Sequence, residues 1–123
     1  MKTLLKEHPL YKGYFVSTEG RIFSTKRNYV SPKQLKPYIE HTGYRSVYIC
    51  HEGRKIFSRI HTLVADTYIP FPLEYEEGEY TIIHHKDLVK TNNSHTNLQR
   101  CRNIGEHTKL HAELRKKEKE NAL

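Results

Sequence analysis

The stretch from Ile83 to His111 reads IHHKDLVKTNNSHTNLQRCRNIGEHTKLH and holds five of the nine histidines of the chain together with four asparagines. His107 and His111 stand four residues apart, one turn of a helix, so their rings can converge on a single ion. Neutral imidazole is a good ligand for zinc, nickel and other first-row metals. Alone, such a pair is more often two exposed side chains. The doublet His84-His85, which closes an apolar strand, changes that balance because buried histidines need partners and a third imidazole completes an open metal site. Neighbours in a strand project to opposite sides, so one of the two can bind the ion while the other faces a substrate. An ion held by three neutral ligands keeps its full charge and open positions, and it can grip a phosphate oxygen and steady a leaving 3′ oxygen. A neutral histidine beside it can take a proton from water. Together these residues make a minimal set for phosphodiester hydrolysis.

Asn97 is expected to complete the set. A carbonyl there, accepting from the Nδ1 proton of the base, would fix its tautomer and leave Nε2 free toward water. Asn92 and Asn93 read as turn residues, and His95 reads as surface.

The elements that must carry these groups are short. YFVST and RIFST flank a Glu19-Gly20 turn, and GYRSVYIC and RKIFSRI alternate around His51-Glu52-Gly53, so two hairpins are expected. In the second, Val47 and Ile49 share one face, with Tyr44, Ser46 and Tyr48 on the other. KRNYVSPKQLKPYIEHTG between them reads as loop with one short strand at its end. HTLVADTY has helical spacing and Pro70 closes it. The acidic, proline-marked PFPLEYEEGE reads as a linker, YTIIHH as a strand, and a last helix starts near Asn103. There Ile104, His107, His111 and Leu114 share one face, which should point inward. The fold class is therefore α+β. Residues 1–72 form an N-terminal antiparallel β module with a short helix, and residues 73–123 form a second, smaller unit sharing its core.

With 123 residues, 36% hydrophobic and 28% charged, the chain can build one modest core. No apolar run approaches the ~18 residues of a membrane span, and no signal-peptide core forms after MKTLLKEHPL. The expectation is a soluble, cytoplasmic protein. Cys50 and Cys101, distant and in no CxxC pair, read as two buried thiols. Twenty-one Lys and Arg against fourteen Asp and Glu give a formal charge of +7, a field that attracts polyanions. Arg21, Lys26, Arg27, Arg45, Lys55 and Arg59, interleaved with Tyr44 and Tyr48, are the candidate contacts to backbone phosphates. His61, in SRIHTLVA, reads as a packing residue.

IIHHKDLVKTNNSHTNLQRC followed by EHTKLH resembles the HNH endonuclease motif. GYFVSTEGRIFS and GYRSVYICHEGRKIFSRIHTLVADTYIP are similar to the β module found ahead of HNH domains in many phage and intron-associated nucleases. The likeness runs from about Gly13 to His111. It implies a C-terminal ββα-metal domain, in which a strand pair and a helix surround one divalent ion. It makes His84 the first metal ligand, His85 the general base and Asn97 the residue that positions it. His107 and His111 complete the ligand set, as in colicin-like members. The implied cofactor is one divalent ion, Mg, Mn, Zn or Ni, and the implied partner is DNA, double-stranded first, bound by a monomer or a homodimer of phage or mobile-element type. Two rivals accompany this reading: a DNA-binding protein whose metal site is only structural, and a nuclease acting on RNA.

Overall fold

The computed structural model describes residues 4–26 and 31–121. Strands β1 (Leu5–Glu7), β2 (Tyr14–Ser17), β3 (Ile22–Ser24) and β4 (Lys33–Gln34) form an antiparallel sheet in that order. The expected first hairpin is its centre. Its turn needs Gly20, whose φ of +91° is open to glycine at little cost. A second antiparallel sheet holds β5 (Tyr38–Ile39), β6 (Arg45–His51) and β7 (Arg54–Arg59), with Val47 opposite Ser58 and Ile49 opposite Ile56. Helix α1 (Ile60–Tyr68) follows β7 directly, and β8 (Ile82–His85) pairs antiparallel with β9 (Leu98–Cys101). A single 3-10 turn, His95–Asn97, leads into β9, and α2 runs from Ile104 to Asn121.

One apolar core joins all of this. Tyr14, Val16 and Ile22 come from the first sheet, Val47 and Ile49 from the second, and Ile60, Leu63, Val64 and Ala65 from α1. Ile83 and Leu98 enter it from the β8/β9 pair. Burial of these side chains is the main force holding the histidine-bearing strands against the hairpins, at roughly 1.5–3 kcal/mol for each large one. Polar ties reinforce it. Buried Arg100 donates from Nε to the Ile69 carbonyl (2.8 Å) and from Nη1 to the Tyr80 carbonyl (3.0 Å), with its guanidinium over the Phe71 ring. It thereby pins both ends of the acidic connection between α1 and β8.

Several expectations need correction. The region read as loop ends in the expected short strand, β5, but also contributes β4, and Leu5–Glu7 adds an edge strand. On the face opposite Val47, Ser46 is also buried, and its hydroxyl donates to Glu40 Oε2 (2.5 Å). Cys50 is exposed, while Cys101 is buried and its thiol pushed up to about 11 by desolvation. Helix α2 buries no residue fully, and Ile104 is 73% exposed. The face carrying His107, His111 and Leu114 is half-buried against the β8/β9 pair, so it caps the core without entering it. No helix among the described residues is long and apolar enough to cross a membrane.

Candidate metal centre and its neighbours

β8 delivers His84 and His85 to opposite sides of a two-stranded ribbon, and both are buried. α2 is started by Asn103, whose Oδ1 accepts the Glu106 N–H (2.9 Å). Its first turns therefore place His107 and His111 on the side facing His84. The three rings form a triangle with centroids 5.1 Å (His84 to His107), 5.0 Å (His84 to His111) and 4.6 Å (His107 to His111) apart. One ligating nitrogen from each lies within 4.8 Å of the others. Nε2 of His107 and of His111 are 3.0 Å apart.

Two observations test whether a metal suits this cluster. The buried Nδ1 of His84 has no hydrogen-bond partner among the described residues, which costs about 1–3 kcal/mol when nothing satisfies it. Desolvation first, and the neighbouring histidines second, hold His84 and His107 below the usual imidazole pKa. Both therefore present lone pairs at neutral pH. The donor set fits a divalent ion.

On the other side of the ribbon, His85 Nε2 lies 2.8 Å from Asn93 Oδ1. A carbonyl oxygen only accepts, so Nε2 carries the hydrogen and Nδ1 the lone pair. This reverses the expected arrangement in both partner and nitrogen. Asn97 makes no hydrogen bond to the His85 ring among the described residues. Its Nδ2 donates to Asp87 Oδ1 (2.9 Å) and to the Asn92 carbonyl (2.9 Å), and its Oδ1 accepts the Asp87 N–H (3.1 Å). Hydrogen bonds from Asn92, from the Val89 N–H and from Asn97 hold Asp87 below the usual carboxylate range. Asn97 thus braces the turn after β8, and Asn93, buried to 5% exposure, is the residue on His85. Turn chemistry masked Asn93 in the sequence, where only its place in an NN doublet eight residues after His85 marks it out.

The loop bearing Asn93 is gripped by the first hairpin. A Cβ on Gly20 would lie 2.7 Å from Asn93 Cβ and 2.9 Å from its carbonyl oxygen. The Thr18 carbonyl accepts the N–H of His95 (2.8 Å) and its Nδ1–H (3.2 Å). His95, expected at the surface, is half-buried by this contact. Beside His85 stands His61, edge-on with ring centroids 5.1 Å apart, and Tyr44 packs against both rings (5.3 Å from His61, 6.1 Å from His85). Burial pushes His61 down to about 4, and charge on His85 and Arg59 adds to the effect.

The candidate phosphate contacts scatter. Arg59 lies over the Tyr44 ring (4.2 Å) but is ion-paired with Glu40 (3.2 Å), and Arg21 faces Glu19 at 3.8 Å. Arg45 donates to the Gly43 carbonyl. Lys26 and Lys55 stand near the Tyr14 and Tyr48 rings at 5.8 and 4.3 Å. Arg27 lies outside the described residues. Lys90, not singled out in the sequence, reaches the second face of Tyr44 (4.7 Å) and donates to the Thr42 carbonyl (2.7 Å).

A strand pair and a helix closing on three histidines, with a fourth histidine on the far side of the ribbon, define a ββα-metal unit. Comparison with known proteins agrees. The chain is 39% identical over 88 residues to an uncharacterized HNH endonuclease of Acanthamoeba polyphaga mimivirus, covering 72% of this chain and 24% of that protein. It is 38% identical over 90 residues to the DNA endonuclease I-HmuI of Bacillus phage SP01, covering 72% and 47%. A solved structure described as DNA binding and cleavage by the HNH homing endonuclease I-HmuI superposes with a TM-score of 0.68 at 32% identity, over 94% of this chain and 59% of the other. No protein-family model matches. The chain belongs to the HNH endonuclease family. It spans about a quarter to a half of the length of these curated relatives.

Proposed function

We propose that the chain is a metal-dependent DNA endonuclease, of phage or mobile-element type and working in the host cytoplasm, that hydrolyses phosphodiester bonds at the His84/His85 ribbon. The observation that carries this is the pairing of a three-imidazole cluster, with an orphaned His84 Nδ1, and a separate histidine fixed by its own amide partner. A structural site needs ligands; it has no use for a fourth imidazole, next to His84 in the same strand, fixed by its own amide partner. His84, His107 and His111 would hold the ion. When bound, a divalent ion supplies positive charge to a phosphate oxygen and to the leaving 3′ oxygen. Asn93 orients His85 and keeps its Nε2 protonated, so Nδ1 takes the proton from the attacking water. The water oxygen bonds to phosphorus, the bond to the 3′ oxygen breaks and that oxygen takes a proton from solvent, giving 5′-phosphate and 3′-hydroxyl ends. In this reading residues 1–72 present double-stranded DNA and residues 73–123 cut it.

Supercoiled plasmid incubated with magnesium, manganese, nickel or zinc provides the test. Wild type nicks or linearises the plasmid, and His85→Ala loses cleavage while keeping metal and DNA binding. Full activity in His85→Ala overturns the mechanism. Tight zinc binding with no nicking under any of these ions supports the structural-site alternative instead.

A further inference from the structure

Between the two N-terminal sheets runs a groove of about 680 Å³, away from the four histidines of the ribbon and α2. Tyr14, Tyr38 and Tyr48 shape it, and Lys26, Lys33, Lys36 and Lys55 stand along it with no Asp or Glu in its lining. Lys26, Lys36 and Lys55 are exposed, and none of these forms a salt bridge with any described residue, whereas Arg21 and Arg59 each face a carboxylate. Ammonium groups gathered in a low-dielectric cleft without counter-charge focus a positive potential there. Lys55 lies 4.3 Å from the Tyr48 ring centroid, and Tyr38 meets Tyr48 edge-on at 5.1 Å, so the aromatic wall both positions the cations and offers apolar contact to a sugar. A small organic anion would satisfy one lysine; a set spread along a groove matches a polymer that carries a charge at each repeat.

We propose that this groove grips the backbone of duplex DNA flanking the cleaved bond, as a contact separate from the metal centre. The proposal rests on the DNA endonuclease reading and adds to it the surface that holds the substrate. Phosphate contacts position the duplex and carry little sequence information, so the groove contributes affinity and register. It also sorts the scattered cations. Lys26 and Lys55 belong to it together with Lys36, and the carboxylate-paired arginines do not.

The experiment is fluorescence anisotropy of a labelled duplex titrated with the intact chain, in chelator, over a range of salt concentrations. Lys26→Gln/Lys36→Gln/Lys55→Gln is compared with wild type and with the triple Lys→Arg variant. Each lost phosphate contact lowers the slope of log K against log salt by about 0.9, so the Gln variant should lose between about 2 and 3. At 0.1 M salt its binding should weaken by more than about tenfold, and the Arg variant should restore slope and affinity. A Gln variant with the wild-type slope overturns the assignment, even if its affinity falls. So does a slope change seen with single-stranded but not duplex DNA. If wild type neither binds duplex nor nicks plasmid, the endonuclease reading itself has failed; if it does both and only the slope is unmoved, the groove alone is refuted.

Discussion

Acid should unfold this protein in a way that one residue reports. His61 is 8% exposed at the start of α1, and burial holds its folded-state pKa near 4, against 6.5 for the free side chain. The folded state therefore binds fewer protons than the unfolded chain between these values. Its stability is complete above about pH 6.5 and is lost as pH falls toward 4. The full shift corresponds to about 3 to 4 kcal/mol, and between pH 7.5 and pH 5 the loss from His61 alone is about 2 kcal/mol. His84 and His107, also depressed, change stability in the same direction. Urea unfolding in chelator at pH 7.5 and pH 5.0 measures the sum, and His61→Gln isolates the share of His61, because glutamine fills much of the same space without titrating. The variant is expected to be less stable than wild type at pH 7.5 but to lose about 2 kcal/mol less on going to pH 5. If both proteins lose the same amount, His61 is not held neutral by the fold and the reasoning fails.

Other expectations concern the site. Asn93→Ala should lower kcat about 10- to 100-fold by freeing the His85 tautomer, with metal affinity measured by calorimetry changed by less than about threefold; an unaltered kcat would leave Asn93 without a role. His107→Ala should weaken zinc or nickel binding at least about 100-fold, read in the same titration. Because the ion binds the folded chain alone, wild type should melt higher with metal at 100 times its Kd, by about 2.7 kcal/mol of added stability, and His84→Ala should show little of that gain. Gly20→Ala combines a left-handed backbone with a Cβ driven into Asn93. It should cost about 2 kcal/mol or more in urea unfolding and reduce cleavage beyond what lost stability explains.

The hairpins around Gly20 and Gly53 were legible in the sequence because alternation and turn residues agree, as were α1, with helical spacing ending at Pro70, and β8, an apolar run. β4 was not, since a strand of two residues has no period to detect, and β5 was expected only as an unplaced short strand. β9 was hidden because LQRC has a single strongly apolar side chain, and its buried face becomes clear only when paired with β8. The histidine cluster could be read from i, i+4 spacing and a doublet. The partner of His85 could not, because Asn93 and Asn97 have the same chemistry and the choice between them depends on how the turn after β8 folds back. Ile104 fitted the helical stripe by number alone; it lies ahead of the turn where α2 first meets the ribbon.

The contact between Gly20 and Asn93 bears on how such a chain can be rearranged. The histidines lie in one stretch of sequence, as though the motif were a portable cassette. Yet the backbone of the first hairpin occupies the space next to the amide that hydrogen-bonds His85, and the core runs unbroken from Tyr14 to Leu98. A fragment cut out after residue 72 would carry the whole histidine cluster and still lose the wall behind Asn93 and His85. Moved onto another scaffold, the motif should keep this amide in place only where the recipient offers a turn without a side chain at that point.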